Sequence, residues 1–253
     1  MISALPVPGL PEITPGFDLA QAVVRALAGG PVPEELASGD VLVIAHKAVS
    51  KSEGRIVALA DVVPGSQARQ LAQQLGKDPR QVQVILDESS SVIRAVGGVL
   101  ITQTRHGFIC ANSGVDASNV PGDETVVMLP IDPDASARAL RARLLELCGV
   151  APAVVITDSF GRAWRIGQCD VAIGCAGIEP AEDWRGHVDA HGRELQATVI
   201  AIADELAAAA DLARRKDGEE PVVLVRGAGR HVVAHDGPGA VALIRARELD
   251  LFR

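Results

Sequence analysis

GDVLVIAHKAVSKSEGR, residues 39–55, joins a short apolar run to three cations set four residues apart. Val41 to Ala45 has the composition of a buried strand, and Lys47, Lys51 and Arg55 follow it, interleaved with Ser50, Ser52 and Glu53. A strand end that turns abruptly to fixed positive charge and small hydroxyls can hold a polyanion such as a nucleoside triphosphate. Ammonium and guanidinium groups make charge-assisted hydrogen bonds to phosphate oxygens. The same residues would also suit a solvated turn carrying ordinary surface lysines.

Outward from this stretch, Asp18 to Leu27 reads as a short helix stopped by Gly29 and Gly30, and Gln67 to Leu75 as another ended by Gly76. Val92 to Val96 and Val99 to Thr102 flank Gly97-Gly98, the pattern of a β-hairpin with a tight turn. Asp134 is placed to cap a helix running to about Cys148, with Leu140, Leu144 and Leu147 on one face and Gly149 as its stop. Ala153 to Thr157 follows as a strand. Between Glu194 and Ala213, Leu195, Val199, Ile202 and Leu206 recur at helical spacing, and Val222 to Val225 gives a last core strand before Arg226-Gly227. Strand and helix signals alternate irregularly rather than in a strict βαβ rhythm. The expected fold class is therefore α+β, with mixed or antiparallel sheets and flanking helices. No repeat, long linker or low-complexity segment divides the chain, so residues 1–253 read as a single domain with room for two interlocked subdomains.

Two acidic segments stand out. In Cys110 to Asn119, CANSGVDASN, small residues and a glycine surround one carboxylate and two carboxamides. Such a loop lets backbone approach a ligand closely while Asp116 and Asn119 offer oxygen ligands or hydrogen bonds; an Asx-type turn is the plainer alternative. In Thr157-Asp158-Ser159-Phe160-Gly161-Arg162, a carboxylate and hydroxyls stand where the apolar strand Ala153 to Ile156 ends. Ligands bind at such carboxyl edges, and hard divalent cations prefer oxygen donors of this kind. Asp116 and Asp158 together could hold Mg²⁺ or Mn²⁺ against nucleotide phosphates. Downstream, Arg162, Trp164, Arg165 and Gln168 form a compact polar set, and Thr198 and Glu205, seven apart, would share one helix face.

Composition narrows the function classes. Hydrophobic residues make up 48% of 253, which argues for a sizeable core and against disorder. No apolar run approaches the roughly 18 residues that span a bilayer, and MISALPVPGLPEI lacks the regions of a signal peptide, so a soluble cytoplasmic protein with no membrane partner is expected. A formal net charge of −8 and 2% aromatics argue against nucleic-acid binding. Any anionic ligand must meet a local basic pocket in an acidic molecule. Cys110, Cys148, Cys169 and Cys175 have no CxxC spacing and read as buried small hydrophobes rather than zinc ligands or disulfides. Gly76-Lys77 is followed by Asp78, which excludes a P-loop, Gly227-Ala228-Gly229 lacks a third glycine, and neither HExxH nor GxSxG occurs. Among six histidines, His46 alone lies beside a candidate site.

The chain resembles the coenzyme F420-0:γ-glutamyl ligase family from PVPGLPEI at residues 6–13 through DLF at 250–252. The motifs that carry the likeness are LPEI at Leu10 to Ile13, HKAVSKSEGR at His46 to Arg55, ANSGVDASNV at Ala111 to Val120 and ITDSFGRAWRIGQ at Ile156 to Gln168. ADELAAAADL at Ala203 to Leu212 and PVVLVRG at Pro221 to Gly227 complete them. The resemblance implies a GTP-dependent ligase that adds L-glutamate to the deazaflavin precursor F420-0 and then extends a γ-linked glutamate tail. It implies GTP contacts at Leu10, Pro11, Glu12, Ile13, His46, Lys47, Lys51 and Asn119, with a further contact from the loop at about Arg214 to Pro221. Divalent cations, Mg²⁺ or Mn²⁺, fall by the same likeness on Asp116, Asp158 and Ser159, with K⁺ as a candidate monovalent ion. Arg214, Arg215 and Lys216 stand where the pattern has a glutamine serving a second cation. The chain is similar to the stand-alone form, without the nitroreductase-like domain that some actinobacterial relatives append, and the fold implied is an intertwined homodimer of an α+β type peculiar to the group.

On this reading the precursor's terminal carboxylate attacks the γ-phosphate of GTP and the α-amine of glutamate displaces phosphate from the acyl phosphate. Catalysis then rests on positioning and charge neutralisation by Asp116, Asp158 and Lys47, with Ser159 and Lys51 as binding groups and Arg55 as a helper. A metal-dependent phosphohydrolase would use the same groups with water as acceptor. A GTP sensor would bind nucleotide and turn nothing over.

Overall fold

In the computed structural model, which describes residues 1–30, 35–118, 124–215, 218 and 220–251, Val41–Ala45 is a strand whose first four side chains are wholly buried. A strand this uniformly apolar must be covered on both faces, and the chain supplies both covers. In sequence order the elements are β1 (Ser3–Pro6), α1 (Leu19–Gly29), β2 (Val41–Ala45), α2 (His46–Ser52), β3 (Ile56–Ala58), α3 (Ser66–Leu75), α4 (Pro79–Asp87), β4 (Ser89–Val96), β5 (Val99–Thr104) and β6 (Ile109–Ala111). After them come β7 (Thr125–Val127), α5 (Pro133–Cys148), β8 (Ala153–Arg162), β9 (Arg165–Ala176), β10 (Glu182–Asp183), β11 (Val199–Ile200), α6 (Ile202–Ala213) and β12 (Val222–Arg226).

The principal sheet has the order β1-β12-β2-β8-β9. All its pairings are antiparallel except β2 with β8, which run parallel from Val41 opposite Ala153 to Ala45 opposite Thr157. One face packs Leu42, Ile44, Val154 and Ile156 against α1 and α5; the other packs Val43, Val155 and Val223 against α6. Alternate residues of each strand therefore serve different cores, as the two-residue period requires. A third apolar cluster, with Leu75, Ile85, Leu100 and Val126, sits among α3, α4, the β3–β7 pair and the three-stranded β4-β5-β6 sheet. The fold is α+β with mixed and antiparallel sheets, as the sequence suggests.

Local signals behave as their chemistry dictates. Asp18 caps α1 by accepting from Gln21 N at 3.0 Å, and Gly76 and Gly149 end α3 and α5 in the left-handed region at φ 66° and 72°. Gly97 and Gly98, at φ 58° and 78°, turn β4 into β5 with Val96 opposite Val99, the double positive φ that a two-residue hairpin demands. Leu144 is buried in the core and Leu140 and Leu147 pack beside it.

Three expectations are corrected. Asp132, not Asp134, caps α5, accepting from Ala135 N at 2.9 Å with Pro133 at the first turn; Pro's fixed φ and missing N–H suit that position. Asp134 is instead buried and binds the backbone of distant segments. The second correction concerns α6, which starts at Ile202 rather than near Glu194. Leu195 and Thr198 are tied by backbone bonds to Gly186, His187 and Trp184, and Val199 pairs with Asp183. Cross-strand pairing overrides the helical spacing there, so Thr198 and Glu205 share no helix face. Third, β8 continues past Thr157 to Arg162, because β9 folds back along it as a hairpin with register shifts at Ile156/Thr157 and Gly161/Arg162. Cysteine burial also divides: Cys110 and Cys175 are buried, Cys169 is half-buried, and Cys148 is exposed, all as free thiols.

Asp204 on α6 accepts from Ala172 N at 2.9 Å, and burial raises its carboxyl above the ordinary value against that hydrogen bond. A raised carboxyl means that the folded protein takes up the proton more readily than the unfolded chain, so stability falls as pH rises from about 3.9 through the folded value. Asp204→Asn keeps the acceptor and loses the charge. Its melting temperature should exceed that of the parent at pH 7 and converge with it near pH 4, as measured by thermal melts across that range; a lower value at pH 7 would contradict the burial argument.

Candidate active site

β2 ends at Ala45 opposite Thr157, midway along β8, and α2 begins at once where β2 stops. The i,i+4 spacing of Lys47 and Lys51 becomes one face of this helix, while His46, at its first position, is buried beside β8. His46 Nε2 lies 3.4 Å from Asp158 Oδ1 without completing a hydrogen bond, and His46 Nδ1 is 3.3 Å from Ser50 Oγ. Asp158 also accepts from Ser159 N at 2.8 Å. Cys110 of β6 is close enough to feel this carboxylate: burial first, then the charge of Asp158, pushes its thiol up to about 12.

Lys47 reaches the second acidic segment. Its Nζ sits 2.7 Å from Asp116 Oδ2 and donates to Ser118 Oγ at 2.7 Å and Ser118 O at 3.1 Å. Asp116 in turn accepts from Ser118 N at 2.7 Å and Ser118 Oγ at 3.1 Å. Burial opposes ionisation of Asp116, but the hydrogen bonds from Lys47 and Ser118 and the charge of Lys47 outweigh it and hold the carboxyl below its usual range. It is therefore an anion at neutral pH. The loop is pinned by paired backbone bonds between Asp116 and Val127 at 3.0 and 2.8 Å, and before them Asn112, Ser113 and Gly114 all have positive φ, 55°, 53° and 71°. Two non-glycine residues in that region carry a conformational cost of about 1–3 kcal/mol each. Ser113 Oγ is held by Ser89 and Thr102 at 2.8 and 2.7 Å, and a Cβ on Gly114 would press into Leu129.

The structure thus brings Asp116 and Asp158 to consecutive residues of α2, Lys47 and His46. Ser159 leaves the opposite face of β8: its hydroxyl donates to Asp170 Oδ1 at 2.6 Å, beside Thr157. Lys51 pairs with Glu12 at 3.0 Å, which draws the N-terminal segment to α2. Within that segment Ile13 is buried in the core, Leu10 packs against it, and Pro11 borders a cleft of about 840 Å³ whose lining includes Phe17, Asp18, Gln21 and Arg25. Arg55, just past α2, faces elsewhere, donating to Leu129 O at 3.0 Å and to Glu88 Oε2 at 2.7 Å at the end of α4, rather than joining the lysines. Asn119 lies outside the described residues. Of the polar set at the β8–β9 turn, Trp164 is exposed and Arg162 Nη2 donates to Ile166 O at 3.0 Å. Arg214, singled out by the family likeness, donates to Asp170 and Thr157 on the other face of β8; Asp170 is a neighbour that no short motif announces, and the hydroxyls of Thr157 and Ser159, the latter opposite Asp170 across the hairpin, are the signal that could have found it.

Among the described residues no three His, Cys, Asp or Glu side chains converge to hold a metal ion. The donors here are two carboxylates, hydroxyls and the buried Nε2 of His46, which has no hydrogen-bond partner among the described residues. Such a set fits Mg²⁺ or Mn²⁺, which are bound through one or two carboxylates plus substrate phosphates rather than by an all-protein cage.

The profile of the family described as F420-0:Gamma-glutamyl ligase matches residues 9–227. The chain is 44% identical over 253 residues to a protein of Methanothermobacter thermautotrophicus named coenzyme F420:L-glutamate ligase, covering 100% of this chain and 99% of that one. It is 45% identical over 250 residues to a protein of the same name from Methanopyrus kandleri, covering 98% and 96%. A third so named, from Methanocaldococcus jannaschii, is 44% identical over 216 residues and 85% of each chain. With the match running through α2, the Asp116 loop, β8 and β12, the chain belongs to the F420-0:γ-glutamyl ligase family.

Proposed function

We propose that this ligase joins L-glutamate to F420-0 in an amide bond at the expense of GTP and extends the product with further γ-linked glutamates. The observation that carries the reading is that consecutive residues of α2, His46 and Lys47, reach Asp158 and Asp116 respectively where β2 ends beside β8, in a chain whose full-length relatives bear that ligase name. A carboxylate oxygen of the precursor bonds to the γ-phosphorus as the bond to the β-phosphate oxygen breaks, giving an acyl phosphate and GDP. The α-amine of glutamate then bonds to the acyl carbon, phosphate leaves, and the amine gives up a proton.

Lys47 and Lys51 supply the fixed positive charge for phosphate oxygens; both now rest on carboxylates, Asp116 and Glu12, that phosphates can replace. Asp116 and Asp158 would hold Mg²⁺ or Mn²⁺; the Ser159 hydroxyl leaves the other face of β8 toward Asp170 and is not a donor to the same ion. A bound divalent ion supplies neutralisation of the terminal phosphate's charge. His46, buried and near Ser50, faces Asp158 with Nε2 at 3.4 Å. The third apolar cluster, built around α3, α4 and the small sheets, supports reading the chain as two interlocked subdomains, and the family likeness supports a homodimer.

Incubation of the purified protein with F420-0, glutamate, Mn²⁺ and either GTP or ATP, read by mass spectrometry, tests the reading. A ladder spaced by one glutamyl unit that needs GTP is expected. Phosphate release indifferent to glutamate would make the protein a phosphohydrolase instead, and binding without turnover would make it a sensor.

A further inference from the structure

Lys47, Ser118 and Asp116 form a closed unit between α2 and the loop that follows β6. An ammonium has three protons, and this one loop supplies three acceptors for them: Asp116 Oδ2 at 2.7 Å, Ser118 Oγ at 2.7 Å and Ser118 O at 3.1 Å. Asp116 is engaged as fully, with Oδ1 accepting from Ser118 N at 2.7 Å and Oδ2 from Ser118 Oγ at 3.1 Å as well as from Lys47. These bonds keep the carboxyl ionised in spite of its burial. The two groups proposed to take opposite ligands, phosphate on Lys47 and a divalent ion on Asp116, are thus paired with one another.

We propose that this pair is a latch, in which Lys47 and Asp116 hold one another closed and the nucleotide phosphates and the divalent ion each open it for the other; this rests on the nucleotide and ion proposed for the site. A phosphate oxygen gains Lys47 only by replacing one of its three acceptors, and an ion approaching Asp116 Oδ2 meets the ammonium charge first. Release of either group removes both obstacles, so the first ligand favours the second. The moving member is the lysine. The Asp116 loop is fixed by its paired backbone bonds to Val127 at 3.0 and 2.8 Å, whereas a lysine ammonium rides on a flexible four-carbon stem. The pair is also weak enough to yield. The Lys47 and Asp116 side chains are 23% and 43% exposed, and ion pairs open to water are worth at most about fivefold in an equilibrium constant.

Ion-free GTP binding and nucleotide-free Mn²⁺ binding separate a latch from a pair that only ties the loop to α2. With EDTA present, Asp116→Asn should tighten GTP binding by about two- to fivefold in titration calorimetry, because Lys47 loses its carboxylate partner. Oδ1 can still accept from Ser118 N, so the loop keeps its anchor. Without nucleotide, Lys47→Met should tighten Mn²⁺ binding by a similar factor, followed by the electron paramagnetic resonance signal of free Mn²⁺. Loss of a charge alone would also favour the opposite ligand, so the double variant decides: in a Lys47→Met background, Asp116→Asn should bring no gain in GTP affinity, since the lysine it would free is gone. A purely structural pair would lower the melting temperature and leave both affinities as they are. Unchanged or weaker binding in either single variant overturns the inference, and so does a GTP gain that survives in the double variant. Should Asp116→Asn fail to fold, the Mn²⁺ affinity of Lys47→Met decides alone. If Asp116→Asn loses Mn²⁺ while Lys47→Met binds it as the parent does, the latch alone fails; if the parent binds neither Mn²⁺ nor GTP, the proposed nucleotide and ion fail with it.

Discussion

Asp158→Asn is expected to lower glutamate ligation by roughly a hundred- to a thousand-fold, the range for loss of one preorganised electrostatic group at a reacting centre, and to leave the protein folded. The substitution is nearly isosteric. Oδ1 can still accept from Ser159 N, the 2.8 Å bond that orients the side chain, so the change is confined to the charge facing His46 and any bound ion. Mass measurement of glutamylated product with GTP and Mn²⁺, alongside a thermal melt, separates the two effects. Retention of a tenth or more of the activity would remove Asp158 from the chemistry and with it the proposed cation site.

The largest effect on stability is expected away from the site, at Asp134. Its Oδ1 accepts from Cys175 N at 2.8 Å and Ala240 N at 2.7 Å, and its Oδ2 from Val241 N at 3.2 Å. One carboxylate thus joins the start of α5 to β9 and to the segment near residue 240. Gly239, at φ 85°, lies so close that a Cβ there would overlap the carboxylate. Asp134→Ala leaves three backbone donors without an acceptor, at about 1–3 kcal/mol each, so a loss of about 3 kcal/mol or more is expected. For a chain of this size that lowers the melting temperature by roughly 10 °C. Asp134→Asn, which keeps one oxygen, should lose less. Denaturant and thermal unfolding measure both variants; a loss below about 1 kcal/mol for the alanine variant would mean that the segment near residue 240 moves to find other acceptors.

Much of the fold is legible wherever the deciding chemistry is local. The cap at Asp18, the left-handed glycines 76 and 149, and the Gly97-Gly98 turn each depend on a few adjacent residues, and each lies where the sequence indicates. Distant pairing is harder to read. Nothing within Thr157 to Arg162 says that β9 will return along it, and the hydrophobic spacing of Leu195 and Val199 imitates a helix until β10 and the Trp184 region claim those residues. The two aspartates at one turn, Asp132 and Asp134, are separated only by Pro133, whose preference for the first helical position favours Asp132 as the cap. At the candidate site, Lys47, Asp116, His46 and Asp158 can be picked out as polar or charged residues beside apolar runs. Asp170 cannot, and Arg214 only through the family likeness, because their meaning arises from the face of β8 that they cover, and the different outlooks of Asp158 and Ser159 follow only once that face is known.

The parallel pairing of β2 with β8 has a kinetic corollary. Adjacent parallel strands cannot be joined by a short turn, and here the chain between them, residues 46–152, contains α2 to α5, β3 to β7 and the Asp116 loop. His46 and Asp158 meet only after that whole excursion has closed, a late and entropically demanding event in refolding. Recovery of ligase activity after dilution from denaturant should therefore lag behind recovery of helical circular dichroism, with the interval reporting the closure of this long crossing.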